Sequence, residues 1–349
     1  MLEEEAGFMN YFFLSDDKFA EIFAVAVYSL FEQHKHVPDL RVFLIENKVS
    51  EESKERLNTI AKHFNREIEY IPMPDIRGMI GTDMYIPHTL NMVDFARLFA
   101  GDILPADIDK AVQLDCDIVI RHQLDELWKY DLADNYCAMI NEGHNAKMRT
   151  MLNISADGMY FNSGVVPMNL KKIREDNIGK KCIKYMKDMH GYVPINAQGV
   201  MNAVMDGKIG VLHPKFNVYS LMYSFTYDEY LKLRQPTYYY TKKEFEEALA
   251  DPFIVHYMTC FYLDERPWMK DCKHPMTKEY IGIREKTPWA NESLWDNVSK
   301  PGRKAYCTFC HIIPKPMAIW ISSIIYEHYL PAKHEHMKKK YAKKAATHR

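Results

Sequence analysis

Apolar positions in the first third of the chain come in continuous runs, separated by segments of helical period. Asn10-Tyr11-Phe12-Phe13-Leu14-Ser15 reads as a strand buried on both faces. Asp16 and Asp17 then open a helix over 18–33 that is apolar on nearly every side, as in a helix sandwiched between layers. A second run spans 40–45, and Ser50 is placed to cap an amphipathic helix over 51–64. A third strand at 67–71, a helix near 91–100 and a buried strand at 111–114 follow. Strands alternating with helices imply βαβ units and a mostly parallel sheet. Ligands in such sheets bind at the carboxyl ends of strands, which is where chemistry is to be sought. Further on, 159–168 reads as a strand with a Gly turn, and 171–189 and 198–206 as helices. The stretch 230–251, with tyrosines at 238–240 and a charged helix, reads as a lobe rather than core.

Composition narrows this picture. A chain of 349 residues with 47% apolar residues can build a core, which excludes disorder as a description of the whole. The length exceeds a typical single domain. One large α/β domain with an appendage, or two domains, is expected. A net charge of -2 removes global basicity as an argument for nucleic acid. That balance hides an asymmetry. Residues 332–349 hold six lysines, one arginine and one glutamate, or +6, so the preceding 331 residues carry -8. Seven cysteines without framework spacing favour a reducing compartment. The start, MLEEEAGF, has no basic segment followed by a long apolar one, and the apolar stretch 317–326 is broken by Ser322 and Ser323. A cytoplasmic protein is expected.

Four clusters carry candidate chemistry. In Leu114-Asp115-Cys116-Asp117 the acids at i and i+2 point to one side of an extended backbone. They suit a hard divalent cation bound through oxygen, or are two solvated or helix-capping acids. Ser15-Asp16-Asp17 offers either helix-opening acids or a carboxylate accepting from the imide N–H of a uracil. In Tyr160-Phe161-Asn162-Ser163-Gly164-Val165 the glycine permits close backbone approach to a ligand, unless the motif is an ordinary hairpin turn. Val255-His256-Tyr257 precedes Arg266-Pro267-Trp268, where His256 is a ligand or a core histidine and Arg266 a phosphate clamp or a surface cation.

The order of these clusters, with Phe95-Ala96-Arg97 and Gln198-Gly199-Val200-Met201-Asn202 between them, resembles glycosyltransferase family 8 over roughly residues 10 to 275. That family includes bacterial lipopolysaccharide galactosyl- and glucosyltransferases and glycogenin. The resemblance implies a GT-A fold, a Rossmann-like α/β architecture, as a catalytic domain over 9–275 followed by a helical appendage over 276–349, with a UDP-sugar donor, Mn²⁺ or Mg²⁺, and transfer with retention. It makes Asp115, Asp117 and His256 the metal ligands and puts Asp16 on the uracil, with Ser15 and Cys116 beside the donor. Arg97 would bind donor sugar and steady the acids, Asn162, Ser163 and Gly164 would line the sugar pocket, and Gln198 would lie beneath the anomeric carbon. Arg266 stands where a lysine usually contacts the pyrophosphate, a fork in place of a point charge. No enzyme nucleophile is evident, so retention implies front-face substitution with the leaving phosphate as base. The acceptor is expected to be a saccharide or glycolipid, with His88 as a candidate contact.

Three departures qualify the resemblance. Ala197 replaces the Asp that usually precedes the Gln, the turn from His256 to Trp268 is longer by four residues and lacks its Gly, and Lys18 replaces an Asn of some members. The first gives weight to an alternative reading, a catalytically degenerate sugar-nucleotide-binding or scaffold protein. A nucleotidyltransferase would instead show a Gly-rich phosphate loop near the first strand. Cys307-Thr308-Phe309-Cys310-His311 matches a c-type haem pattern formally, and Cys272 with His274 could complete a zinc site; two reduced cysteines on a helix are the simpler reading. Trp320 among isoleucines, followed by Lys338-Lys339-Lys340, has the composition of an interfacial anchor on an anionic membrane or of a docked helix with a basic tail.

Overall fold

The two apolar runs near the start become neighbouring parallel strands, β1 (Met9–Asp16) and β2 (Leu40–Asn47), paired along their full length. The structure, a computed structural model, describes residues 8–81, 86, 90–297 and 299–347. β3 (Ile68–Pro72) adds to β2, and the chain then crosses back to lay β4 (Lys110–Leu114) on the far side of β1. This reversal of winding direction opens a crevice at the carboxyl ends of β1 and β4. Six short strands follow: β5 (Ile118–Ile120), β6 (Cys137–Asn141), β7 (Phe161–Asn162), β8 (Val165–Asn169), β9 (Ile209–Val211) and β10 (Val218–Tyr219). β8 runs antiparallel between β4 and β6, while β7 and β9 both pair with β6. β11 (Ile254–His256) joins β5 and β10 in a second, three-stranded sheet.

The pleat sends Tyr11, Phe13, Val42 and Leu44 into one apolar cluster and Phe12, Phe43 and Ile45 into another, so the sheet is covered on both faces. The first long helix, Ala20–Gln33, is buried from Ala20 through Phe31. It begins two residues later than the sequence suggests, because the Asp16 carboxylate caps a 3-10 turn by accepting from Phe19 N at 3.0 Å. The expected helix over 171–189 divides into Leu170–Glu175 and Ile178–Asp188 at Asn177, which has φ 53°.

The tyrosine-rich stretch packs into the core at Tyr230, Tyr239 and Tyr240 instead of forming a lobe, although Tyr238 is exposed. Tyr240 is buried, accepts from Asn141 N at 2.8 Å and donates to Leu212 O at 2.7 Å, while Tyr239 stacks on Tyr230 with ring centroids 4.8 Å apart. Core packing also continues past residue 275. Tyr280 and Trp289 lie in the first cluster, and Arg284 Nε and Trp295 Nε1 both donate to buried Glu21, at 2.7 and 2.9 Å.

The chain ends in helices Pro301–Ile312, Lys315–Ile324 and Leu330–Thr347, the last two joined by a π turn. Among the described residues no helix is long and apolar enough to cross a membrane. Phe309, Ile312, Met317, Trp320, Ile324 and Tyr329 are nevertheless exposed, six of the ten large apolar side chains so placed among the described residues.

Candidate active site

β4 stops at Leu114 beside the end of β1, and Asp115 N donates to Gly164 O at 2.8 Å. Two residues on, Asp117 O accepts from Tyr257 N at 2.9 Å, where β5 pairs antiparallel with β11. The two acids therefore hang in the joint between the sheets, with His256 facing both. Its Nε2 lies 3.1 Å from Asp117 Oδ1 and 3.7 Å from Asp115 Oδ2. Among the described residues this is the one group of three such side chains gathered closely enough to hold a cation, its ligand atoms all within 4.8 Å of one another.

The imidazole tautomer is fixed by a chain that starts at a backbone amide. Gly164 N donates to Asn162 Oδ1 (3.0 Å), which also accepts from Asn217 Nδ2 (2.8 Å). Asn217 must then present Oδ1 to His256 Nδ1, 2.9 Å away, so Nδ1 carries a proton. Nε2 faces two carboxylate oxygens, an arrangement that needs a proton or a cation between them. Burial works against charge on His256, but the attraction of Asp117 and Asp115 outweighs it and raises its pKa. Burial likewise opposes charge on Asp117, yet His256 and Arg266 bring it down to about 2. For Asp115 burial wins and its pKa rises.

Gly164 also leaves room for the ring. A Cβ there would sit 2.4 Å from His256 Cε1 and 2.5 Å from Nδ1.

Arg97 anchors the other side of the acids. It is buried, and Nη2 reaches Asp115 Oδ1 at 2.9 Å and Asp94 Oδ1 at 2.8 Å. Nη1 donates to Ser163 O at 2.8 Å, and Nε to Asp94 O at 3.0 Å, so every edge of the guanidinium is engaged by protein. Ser163 passes the contact on to Gln198, whose Oε1 accepts from Ser163 N at 3.0 Å. Gln198 Nε2 donates to Tyr160 Oη at 3.0 Å and to Glu142 Oε2 at 2.9 Å, which fixes the amide's orientation.

Glu142 is a residue the sequence analysis passed over. It is buried, receives Asn162 Nδ2 at 3.3 Å and Arg234 Nη2 at 3.3 Å, and lies 3.4 Å from His144 Nε2. A usable signal existed, since the apolar strand Cys137–Ile140 ends in Asn141-Glu142-Gly143-His144-Asn145, a polar cluster at a strand's carboxyl end like that after Leu114. Burial opposes its charge, but His144, Arg234 and Asn162 outweigh it and hold its pKa at about 2. A folded pKa below the unfolded value contributes stability above the ordinary glutamate range and loses it as pH falls toward 2. Urea titrations at pH 6 and pH 3 should therefore show a larger acid loss for the wild type than for Glu142→Gln, by up to ~2 kcal/mol.

The crevice itself, about 140 Å³, is lined by Ser15, Asp16, Asp94, Arg97, Asp115, Cys116 and Asp117. The two early acids separate in role. Asp17 accepts from Ser50 N at 2.9 Å and Ser50 Oγ at 2.8 Å, bonds that lower its pKa, whereas Asp16 uses one oxygen as a cap and faces the crevice. Lys18 extends over the Trp295 ring, 5.2 Å from its centroid. Arg266 Nη1 lies 3.2 Å from Asp117 Oδ2, at the acids' outer edge. Although Ala197 supplies no carboxylate, Asp94 Oδ2 lies 3.3 Å from its backbone N, another acid the sequence analysis missed. His88 lies outside the described residues. Cys307 and Cys310 are free thiols on one helix.

Two carboxylates and one imidazole suit a divalent cation such as Mn²⁺ or Mg²⁺. The charges agree. Asp94, Asp115 and Asp117 face two guanidiniums, of Arg97 and Arg266, leaving one negative charge with neutral His256. A divalent ion would turn that into one positive charge, ready for an anionic ligand.

The sequence profile of Glycosyl transferase family 8 matches residues 10–272. General stress protein A of Bacillus subtilis (strain 168) is 24% identical over 283 residues, 79% of this chain and 92% of that protein. The lipopolysaccharide 1,2-glucosyltransferase of Escherichia coli (strain K12) is 25% identical over 205 residues, 58% of this chain and 56% of that protein. The lipopolysaccharide 1,3-galactosyltransferase of Salmonella typhimurium (strain LT2) is 23% identical over 259 residues, 71% of this chain and 69% of that protein. Among solved structures, the galactosyltransferase LgtC in complex with donor and acceptor sugar analogs aligns with a TM-score of 0.66 at 20% identity, over 85% of this chain and 100% of that one. That likeness is one of fold.

Proposed function

The chain belongs to glycosyltransferase family 8 and has the GT-A fold, and from that premise we propose that it moves a hexose, glucose or galactose, from a UDP-sugar to a saccharide acceptor with retention. The observation that carries the reading is the Asp115–Asp117–His256 triangle at the β1–β4 crevice, joined through Arg97 and Ser163 to the fixed amide of Gln198. Lipopolysaccharide hexosyltransferases among the relatives support a hexose donor and a saccharide or lipid-linked saccharide acceptor.

The residues divide the work. Asp115, Asp117 and His256 would hold Mn²⁺ or Mg²⁺, which when bound neutralises charge growing on the diphosphate. Arg266 turns from Asp117 toward the same leaving group, adding electrostatic stabilisation. Asp16 accepts from the uracil, with Ser15 and Cys116 beside it, and Asn162, Ser163 and Gly164 line the sugar pocket. Asp94 offers a carboxylate next to Ala197, where the sugar hydroxyls would otherwise lack one.

With retention taken from the family, the pocket supports a route without an enzyme nucleophile. Glu142 is the carboxylate beside Gln198, but four side chains hold it and its low pKa makes it a weak nucleophile. Attack by the acceptor hydroxyl on the leaving-group face avoids a covalent intermediate. The hydroxyl proton passes to the departing β-phosphate oxygen, while the Gln198 carbonyl, held by Ser163, faces the positive charge developing at the anomeric centre.

The test is UDP release from UDP-glucose and UDP-galactose with Mn²⁺, then after chelation with EDTA. Release from one donor, lost on chelation, is the expected result. UDP binding with no release from either donor would favour the degenerate, sugar-nucleotide-binding alternative.

The exposed side chains of the C-terminal helices support a further part of the reading, peripheral attachment to an anionic membrane. Trp320 is 63% and Ile312 77% exposed, beside a lysine-rich last helix. Replacing both with glutamate should abolish sedimentation with phosphatidylglycerol vesicles at low salt and leave binding of UDP unchanged.

A further inference from the structure

Gln198 is held by two groups, and both are braced from one place. Its Nε2 donates to Glu142 Oε2 at 2.9 Å and to Tyr160 Oη at 3.0 Å. Behind Glu142 stands Arg234, whose Nη2 donates to Oε1 at 3.3 Å. Behind Tyr160 stands His144, stacked on the phenol ring with centroids 4.0 Å apart. The two braces meet on a single side chain, Tyr326. The Arg234 guanidinium carbon lies 4.7 Å from its ring centroid, and His144 meets the same ring nearly edge-on, 5.5 Å away. A cation over a desolvated aromatic face is attracted to it.

Tyr326 lies beyond residue 272, where the family match ends, in the π turn Ile325–Tyr329 that joins the last two helices. A π turn shifts which side chains face inward, and such insertions are frequent at functional sites. Here exposed Ile324 and Tyr329 stand on either side of a tyrosine whose hydroxyl is buried. That hydroxyl makes no hydrogen bond, so the ring is what its neighbours use. Ion pairs fasten the segment to both elements that carry the braces. Lys315 pairs at 2.7 Å with Glu229, on the helix Tyr227–Arg234. Glu327 pairs at 2.9 Å with Lys147, on the helix Ala146–Met151 that starts two residues after His144.

We propose that Tyr326 is a positioning residue for the transfer: through Arg234 and His144 its ring keeps Glu142 and Tyr160 in place, and with them the Gln198 carbonyl aimed at the anomeric centre. This rests on the transferase reading and deepens it, because the C-terminal segment becomes part of the machinery as well as a means of attachment. Arg234 and Tyr326 both border a cavity of about 420 Å³, so with the ring gone the guanidinium has room to turn away from Glu142. A displacement of about 1 Å at a positioned group can cost ~10²-fold in rate.

The experiment measures UDP release by the full chain from UDP-glucose and UDP-galactose with Mn²⁺, water serving as acceptor. Tyr326→Leu, which keeps apolar bulk on a helix without a π face, should lower kcat ~10-fold or more and leave the donor KM within ~2-fold. The split is expected because neither Tyr326 nor Arg234 lines the donor crevice. Tyr326→Phe should restore kcat. Ile319→Ala, a truncation of a buried side chain in the neighbouring helix Lys315–Ile324, should lower the melting temperature and leave kcat unchanged. The amide's position is read without turnover by hydrogen exchange at Ser163, whose N–H donates to Gln198 Oε1 at 3.0 Å. That N–H should exchange faster in Tyr326→Leu, and at the wild-type rate in Tyr326→Phe and Ile319→Ala. Wild-type turnover in Tyr326→Leu overturns the proposal. So does a loss of kcat that Ile319→Ala reproduces, that Tyr326→Phe fails to restore, or that comes without faster exchange at Ser163. If the wild-type chain binds UDP and releases none from either donor, the transferase reading falls by itself. Exchange at Ser163 then decides alone: faster in Tyr326→Leu, the brace on Gln198 stands; unchanged, it is removed.

Discussion

Asp117→Ala is expected to lower sugar transfer by ~10³-fold or more, the scale of several kcal/mol of lost electrostatic stabilisation. Asp117 is the only group in the cluster that meets both His256, at 3.1 Å, and Arg266, at 3.2 Å. Without it the cluster's charge rises from one negative to neutral, so attraction for a divalent cation falls together with a ligand. Arg266 loses its partner at the same time and becomes available to phosphate. UDP binding in the absence of metal should therefore persist or strengthen while transfer collapses. Parallel titrations of Mn²⁺ and of UDP, alongside initial rates, read the two effects separately. Full activity in the alanine variant would remove the metal assignment.

Gly164→Ala is the second large effect, and it reaches the cation site through the His256 ring. The added methyl would stand 2.4 Å from a buried ring that is already tied to Asn217. His256 cannot yield without breaking that bond, so overpacking of ~1–3 kcal/mol in stability accompanies a ~10–100-fold loss of cation affinity. Both appear in one experiment, a thermal melt repeated across Mn²⁺ concentrations. Excess Mn²⁺ should restore much of the transfer, which loss of folding alone would not permit.

Much of the fold was legible because its central strands are long apolar runs. Phe12 and Phe43 could be placed as buried from their neighbours alone, and the acids closing the strand at Leu114 stood out against it. Other parts were hidden for identifiable reasons. Tyr240 looks half polar in a pattern, yet its hydroxyl is satisfied inside by Asn141 N and Leu212 O, so the residue is core. Asn217 sits 39 positions from the histidine it orients, in a two-residue strand's approach that has no periodicity to read. Glu142 and Asp94 follow the same logic. Each gains its meaning from a partner that only the tertiary fold supplies, Gln198 for one and the backbone N of Ala197 for the other.

The proposed cation ligands straddle a seam: Asp115 closes a strand of the large sheet, while His256 belongs to the three-stranded one. An ion held there would act as a rivet between two separately hydrogen-bonded layers. Its binding free energy would then count toward cohesion of the catalytic body, ~2.7 kcal/mol at a hundredfold excess over its Kd. Metal scarcity would loosen the enzyme as well as silence it, and the first place to come apart would be the small sheet that carries Val218, Val255 and Val119.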